Sequence, residues 1–511
     1  MSQFGPEIGK HPDGFEAFKC TFPRVFTTPF LSKYFKPLDN ADGSATFAPY
    51  SLRKVESILA KHHNSEDIIV CHPDRLMEFV GQETHIVGIT TMDPLGLAYV
   101  STTYNSLVGS GRESINSYEF KRLLRLVRKL KKKFGFKVVV GGEATWQIDI
   151  AGLQAVLGID HLVSGPAEAE LPALLERILT GSVPPVIHFK NLDYRKTRIP
   201  IIRAPAGYGD VEITRGCGRG CAFCSPNVGR KFSVSLEDIM KEVKINIEGG
   251  SEMIFTITED MFLYKSKSQF HPNRDAIVKL YASIADFPGV NYIHLSHASL
   301  APVLVDKKLL PDLAPILVDK SQRTLFGKNY ATVEVGLESG SVNIMRKFMR
   351  GKAYPFKIEH WPELVCDGVA AFNDHHIFPL CTIIIGWPGE TEEDSEKTQE
   401  LIERLHGQKA KMFYTPILFI PIEKTPLGKS KRISLGNLSK TQLNVIERCW
   451  EYNVEFWGEK IPRYCLRLIG FGAKGMGLWR RLIGADTAYI SNKFADFLLK
   501  TKFPCDPNLC R

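Results

Sequence analysis

The chain has 511 residues, 44% of them hydrophobic and 24% charged, with a formal net charge of +9. That length predicts about three compact units. No apolar run reaches the roughly 20 residues of a membrane span, the start lacks a signal peptide's charged-then-apolar layout, and no nucleic-acid motif accompanies the modest charge. The expectation is a cytoplasmic protein with reduced cysteines, no membrane and no nucleic-acid partner.

From about 45 to 185, short β-branched runs alternate with helical stretches. SLRKVESILAKHH predicts a helix with Leu52, Val55, Ile58 and Leu59 on one face. DIIVCHP (67–73) and HIVGITTMD (85–93) predict strands, followed by a long basic helix around 117–134. KVVVGGEA (137–144) predicts a strand, then come a helix near 150–157, a strand at HLVSG (161–165) and a helix at AELPALLERIL. The alternation predicts an α/β fold, a doubly wound (Rossmann-like) parallel sheet, whose ligands bind at the carboxyl edge. That edge would carry Thr90, Thr91, Gly141, Gly142 and Gly165. Glycines there let a ligand lie against the backbone, and they equally serve ordinary turns. His72 would end a strand, and Tyr99 and Tyr104 follow HIVGITTMD in a loop.

Residues 182–209 are rich in proline and basic residues and read as an extended linker lying along both halves. A second alternation begins at VEITRGC, with strands at 253–260, 292–300, 332–341, 378–390 and 412–423 and helices between them. One helix, SLEDIMKEVKINIEGG, opens on a capping box from Ser235 to Asp238 and stops at Gly249 and Gly250. Six strands with intervening helices fit a partial β/α barrel with its active site at the strands' C-terminal ends. The expected units are 1–185, 186–425 and 426–511, the last a small α-rich extension covering the substrate side.

Residues 214–224 read TRGCGRGCAFC, which puts Cys217, Cys221 and Cys224 within eight residues. Three thiols are an odd number for disulfides and one short of a closed zinc site. Three thiolates on a four-iron cluster leave one iron open to a small molecule, whereas three thiolates and a distant histidine would hold zinc. The motif leaves the first strand of the six-fold series, which places it in the barrel mouth.

CGRGCAFC resembles the CxxxCxΦC signature of the radical S-adenosylmethionine (SAM) superfamily, where Φ is aromatic. IEGGSEMIFTITED, GLESGS and TIIIGWPGETEED match that superfamily in order, over roughly residues 200–425. The resemblance implies a 4Fe-4S cluster on Cys217, Cys221 and Cys224, which are then the catalytic centre, with SAM on the free iron and Phe223 near its adenine. It points to Glu259 and Asp260 for the methionine amine or the mouth lining, although the usual GGE motif is not intact there. Glu338 and Ser339 would bond the ribose or the amino group, unless Glu338 is a salt-bridge partner. Gly386 and Gly389 would lie against adenine, or belong to a turn that Trp387-Pro388-Gly389 makes anyway.

The N-terminal half resembles the cobalamin-binding domain that precedes many radical SAM barrels, through Gly141, Gly142, the ITT run and SGPAEAELPALL. By that resemblance Thr90, Thr91, Tyr104, Gly141, Gly142 and Gly165 contact cobalamin. The cobalt-ligating DxHxxG motif is absent, which leaves His72 as a candidate cobalt ligand or a structural histidine. Together the two halves imply class B radical methylation of an unactivated carbon in an anaerobic setting, with a ferredoxin or flavodoxin as electron donor. DPLGLAYVSTTYNSL and CHPD resemble archaeal members of this family, and a glutamine of the methyl-coenzyme M reductase alpha subunit is the specific substrate expected. The basic stretches 121–133 and 474–481 would face a protein substrate or simply be solvated. Cys505 and Cys510 would hold a further metal or stay loose thiols. A methylthiotransferase would need further N-terminal cluster cysteines, and only Cys20 and Cys71 precede the motif. The alternatives are a cobalamin-dependent rearrangement or ring formation and, from another class, a non-catalytic cobalamin- or metal-binding sensor.

Overall fold

The computed structural model describes residues 38–457, apart from 108–112, 182, 190–191, 195–196, 226–230, 269 and 326, together with residue 474. Cys20, Cys505, Cys510 and all but residue 474 of the 474–481 stretch lie outside the described residues.

The N-terminal unit begins with α1 (Tyr50–Leu59) and is built on a parallel sheet of β1 (Ile86–Thr90), β2 (Lys137–Gly141), β3 (His161–Ser164) and β4 (Val186–His188), in that spatial order. Between β1 and β2 run α2 (Tyr99–Leu107) and α3 (Ile115–Phe134). Between β2 and β3 lie α4 (Trp146–Ile150) and α5 (Gln154–Leu157), and α6 (Leu171–Thr180) precedes β4. The Ser114 hydroxyl accepts from Ser117 N–H at the start of α3, and Gly135 closes the helix in the left-handed conformation. Phe120, Leu124, Val127 and Leu130 recur at helical spacing and pack on Val138 and Val140 of β2. The alternate β2 residue, Val139, faces the other way and meets Leu174 and Ile178 of α6. Helices therefore cover both faces, the three-layer arrangement of a doubly wound sheet. The strand order is sequential, without a reversal among the described residues.

Four local expectations change. DIIVCHP is not a strand: short 3-10 turns flank it, and Val70 gives its carbonyl to Ala45 N–H rather than to a neighbouring strand. The helix near 150–157 is split into α4 and α5 at Gly152, whose φ of 62° breaks the helical path. The supposed linker contributes β4, so the N-terminal unit runs past residue 185. The loop carrying Tyr99 and Tyr104 is helical, as α2.

The second unit is a wall of parallel strands. β5 (Asp210–Glu212) is followed by a short antiparallel pair, β6 (Thr214–Arg215) and β7 (Phe232–Ser233), then by α7 (Leu236–Glu248). Next come β8 (Met253–Ile257), α8 (Arg274–Ala285), β9 (Tyr292–Leu295), β10 (His297–Ala298), α9 (Ala301–Val305) and α10 (Leu309–Asp319). A hairpin of β11 (Thr324–Leu325) and β12 (Lys328–Asn329) leads to β13 (Glu334–Glu338), α11 (Val342–Phe348), α12 (Trp361–Asp374), β14 (Leu380–Ile385), α13 (Glu392–Gly407), β15 (Phe413–Leu418) and α14 (Lys440–Trp457). β5, β8 and β9 pair in parallel, as do β10, β13, β14 and β15. Ser296 joins the two sets, since its N–H donates to Thr256 O and its carbonyl accepts from Glu334 N–H. With β9 and β10 as one kinked strand, this is the expected six-stranded half-barrel. Its helix-facing residues Val211, Ile254, Val335, Leu337, Cys381 and Ile383 are at most 1% exposed.

The two units are held together by buried polar bonds. Arg53 of α1, 2% exposed, donates to the carbonyls of Pro205, Ala45 and Thr46 and pairs with Glu56. Glu242 of α7 accepts from Tyr50 OH, Lys54 Nζ and Ile202 N–H, which clamps the connecting segment between α1 and α7. Arg53→Met strands three buried carbonyls and is expected to lower stability by about 3–5 kcal/mol, read from denaturant midpoints. Arg448→Met, which breaks an exposed pair with Glu451, should change it by less than about 1 kcal/mol. Equal losses would mean that the clamp does not bear on stability. No helix among the described residues is long and apolar enough to cross a membrane.

Candidate active site

β5 continues through Ile213 and β6 into the cysteine loop, so the three thiols emerge at the carboxyl end of the first barrel strand. The loop is tied down by its backbone: Ala222 N–H donates to Phe348 O (2.9 Å), and Leu427 N–H donates to Ala222 O (3.1 Å). Arg219, between the first two cysteines and 6% exposed, does the rest. Its guanidinium donates to the carbonyls of Gly351 and Lys352, to the Asp260 carboxylate (3.1 Å) and to Ser299 Oγ (2.8 Å).

Burial raises the pKa of all three thiols, Cys221 to about 11. Neighbouring thiols push Cys221 and Cys224 further up, while the Lys352 ammonium pulls both down. Three buried, mutually repelling thiols become thiolates together only beside a strongly positive group. A four-iron cluster is such a group, and the donor set fits it. Among the described residues no three His, Cys, Asp or Glu side chains converge as a single-ion site.

Around the loop the expected SAM-binding residues divide. Phe223 packs edge-on against Trp387 (centroids 5.3 Å apart), and Trp387 stacks on Phe348, so an aromatic wall links the cysteine loop to the end of β14. Glu259 lies against Gly216 N–H, burial raises its pKa, and its Oε2 is buried without a hydrogen-bond partner among the described residues. Glu338, in a left-handed conformation with φ 64°, ends β13 and accepts from Lys352 Nζ (2.6 Å) and Thr382 Oγ1 (3.1 Å).

Two assignments are corrected. The Asp260 carboxylate is committed to Arg219, Ser299 Oγ and Phe262 N–H, so it anchors the cysteine loop rather than facing a ligand. Ser339, 1% exposed, shares its hydroxyl with Thr398 of α13 and with Ser341 N–H, away from the mouth. Gly386 and Gly389 sit in a turn whose amides at Gly386 and Trp387 donate to the Glu390 carboxylate. A Cβ at Gly386 would meet Ile433 at 2.9 Å. The turn reading accounts for both glycines.

At the carboxyl edge of the N-terminal sheet, Thr90 Oγ1 meets Ser51 Oγ (2.9 Å), and Thr91 N–H donates to Gly141 O. Cβ atoms at Gly142 and Gly165 would lie 2.3 Å from Thr91 O and 2.6 Å from Phe189 O, so the chain's own crossings require these glycines. Beside them Met92 is 85% exposed, a large apolar side chain at a strand end. Tyr104 is a further correction: 1% exposed, it donates to Pro416 O of β15 and packs on Trp450, within the barrel-side core. His72 ends no strand; its Nδ1 accepts from Asp74 N–H and caps a 3-10 turn, and burial lowers its pKa.

The two edges meet. Arg215, two residues before Cys217, pairs with Glu168 of the N-terminal unit and with Glu212. α2 lies along β15, with Thr103 Oγ1 accepting from Leu418 N–H (2.8 Å). Tyr99 of α2 has a buried hydroxyl with no partner among the described residues, and burial together with the Glu338 and Cys224 charges holds it neutral. The roles of Arg219, Lys352 and Trp387 had no sequence signal beyond their proximity to motifs, and Tyr99 had only its place after β1.

Residues 211–402 match the family described as the Radical SAM superfamily. Ribosomal protein uS12 methylthiotransferase RimO of Cytophaga hutchinsonii is 25% identical over 240 residues, 46% of this chain and 50% of the relative. RimO of Aquifex aeolicus is 25% identical over 301 residues, 58% of this chain and 64% of the relative. The tRNA-2-methylthio-N(6)-dimethylallyladenosine synthase of Magnetococcus marinus is 27% identical over 304 residues, 55% and 62% of the two chains. The chain thus spans between half and two thirds of the length of these curated relatives. Among solved structures, the radical S-adenosylmethionine methyltransferase TsrM of Kitasatospora setae, with cobalamin and a 4Fe-4S cluster bound, aligns with a TM-score of 0.51 at 16% identity, over 75% of this chain and 71% of that one. At that identity the likeness is one of fold.

Proposed function

We propose that this chain, with a radical SAM domain at residues 211–402, is a cobalamin-dependent enzyme that methylates an unactivated carbon. The observation that carries the reading is the meeting of two strand-end edges: a buried three-thiol loop on the first strand of the half-barrel abuts the carboxyl edge of a parallel sheet through Arg215 and Glu168. The fold shared with TsrM, whose structure holds cobalamin and a 4Fe-4S cluster, supports it. When bound, the cluster with SAM supplies hydrogen-atom abstraction, and cobalamin supplies methyl transfer.

The chain's own residues hold and orient. Cys217, Cys221 and Cys224 hold the cluster, and Arg219 fixes the loop between them. The unpartnered Oε2 of Glu259 is the acceptor offered to the amino group of SAM. Glu338, neutralised by Lys352, is an acceptor for a ribose hydroxyl. The Phe223–Trp387 pair gives an aromatic wall to an adenine. Met92 and Thr90 give an apolar face and a hydroxyl to a corrin, and α2 closes the gap between the units against water.

Methylthiotransfer is the second reading, because the curated relatives carry that name. It needs more N-terminal cluster thiols than this chain has: Cys71 is the single described cysteine before the motif. The substrate proposed is a protein glutamine, specifically that of methyl-coenzyme M reductase. The test is anaerobic reconstitution, with about four irons and one cobalamin retained per chain, followed by mass analysis of that peptide. Gain of one CH2 unit together with 5′-deoxyadenosine supports the proposal; gain of a methylthio unit gives the second reading. Deoxyadenosine without cobalamin retention overturns methyl transfer and leaves the radical SAM domain.

A further inference from the structure

At the carboxyl edge of the N-terminal sheet, a cation arrives from the other unit. Lys424, six residues past the end of β15, donates from Nζ to Ser164 Oγ at the end of β3. Ser164 Oγ lies 2.6 Å from Nδ1 of His188, which ends the neighbouring β4. An ammonium can only donate, so Ser164 accepts from Lys424. With the Ser164 proton turned to His188 Nδ1, neutral His188 carries its proton on Nε2, and protonated His188 carries one there as well.

In that arrangement the group offers donors outward: the remaining ammonium protons of Lys424 and Nε2–H of His188. Both residues are exposed, while Ser164, 2% exposed, is the buried pivot between them. Among the described residues no carboxylate pairs with Lys424 or His188. Two exposed donors, one from a strand end and one from the barrel, gathered with no carboxylate partner among the described residues, match a phosphate oxygen in chemistry.

We propose that Lys424 and His188, held by the buried Ser164, bind a phosphate, and that it is the phosphodiester of the cobalamin nucleotide loop. The assignment rests on the cobalamin reading above. It adds that the barrel unit itself recognises the cofactor's tail, so docking of the two units and loading of the cofactor are linked.

The test compares two corrinoids on the full-length chain: hydroxocobalamin and aquocobinamide, which lacks the nucleotide loop and its phosphodiester. Equilibrium binding is read from the corrinoid absorption spectrum, independently of turnover. Wild type is expected to bind cobalamin at least tenfold more tightly than cobinamide. Lys424→Met should weaken cobalamin roughly tenfold and leave cobinamide within about twofold, with Lys424→Arg restoring most of the loss. His188→Phe should act in the same direction. Because Lys424 and His188 are exposed, these variants are expected to fold, and thermal melts check it. Equal losses for both corrinoids in Lys424→Met, or no loss for either, overturn the assignment while the cobalamin reading stands. Binding of neither corrinoid to wild type overturns both. Saturation by inorganic phosphate that Lys424→Met abolishes, with equal corrinoid affinities in wild type, assigns the group to free phosphate and overturns the nucleotide-loop source.

Discussion

Serine in place of Cys217, Cys221 and Cys224 together should leave a folded chain that retains no iron–sulfur cluster and forms no detectable 5′-deoxyadenosine, a loss of at least about a thousandfold. Thiolates are the ligands such clusters require, and a serine hydroxyl is a far poorer donor to iron at neutral pH. The fold is expected to persist because the loop is held by other groups. Arg219 clasps Asp260 and the carbonyls of Gly351 and Lys352, while Ala222 is bonded at both N–H and C=O. Cys221 is the most buried of the three, and a hydroxyl there costs about 1–3 kcal/mol unless it finds a partner. The thermal midpoint should therefore fall modestly while iron content falls to background. Iron retained at wild-type stoichiometry in the triple variant would move the cluster elsewhere and with it the active site. A chain that no longer folds would instead make the cysteines structural, which single substitutions at exposed-side Cys217 would then separate.

What the sequence made legible and what it hid follow from how local each determinant is. The three-cysteine loop stands out in the sequence because one residue type recurs at a short fixed spacing. β2 and β14 were legible because KVVVG and LCTIII are largely apolar runs buried on both faces. β4 was not: VIH is three residues long and follows Pro184 and Pro185, so nothing local distinguishes an edge strand from a linker. α2 was hidden for a related reason. YVSTTYNSL is rich in residues of middling helix propensity, and its helix is sustained by packing along β15, far away in sequence. DIIVCHP failed in the opposite direction, as a β-branched run with no strand free to pair with it. In the site, Asp260 and Glu259 are adjacent at one strand end, and a sequence cannot tell which carboxylate is taken. Both lie past the end of β8 at Ile257; Arg219, a tertiary neighbour, takes Asp260, and Glu259 Oε2 has no partner among the described residues.

That commitment of Asp260 yields the second large effect. Arg219→Met is expected to destabilise the chain without cofactors by about 3–5 kcal/mol, read from denaturant midpoints, and to cut cluster occupancy severalfold. The pair it breaks is buried, with side chains 4% and 2% exposed, so the remaining Asp260 carboxylate keeps its desolvation cost and loses its cation. Three carbonyl and hydroxyl partners on the 351–352 segment and at Ser299 lose their donor as well. Asp260→Asn in the Arg219→Met background should recover part of the stability, because the amide removes the uncompensated charge, and the double-mutant cycle should show a coupling above about 1 kcal/mol. Cluster occupancy should not recover with it, because the loop still lacks its clasp. Gly351→Ala approaches the same contact from the other side: its Cβ would lie 1.8 Å from Arg219 O, a backbone atom that can yield only by moving the cysteine loop. Occupancy should fall there too, with both charges intact. If Arg219→Met and Gly351→Ala leave iron content at the wild-type level, the backbone bonds at Ala222 suffice to place the thiols, and Arg219 serves stability alone.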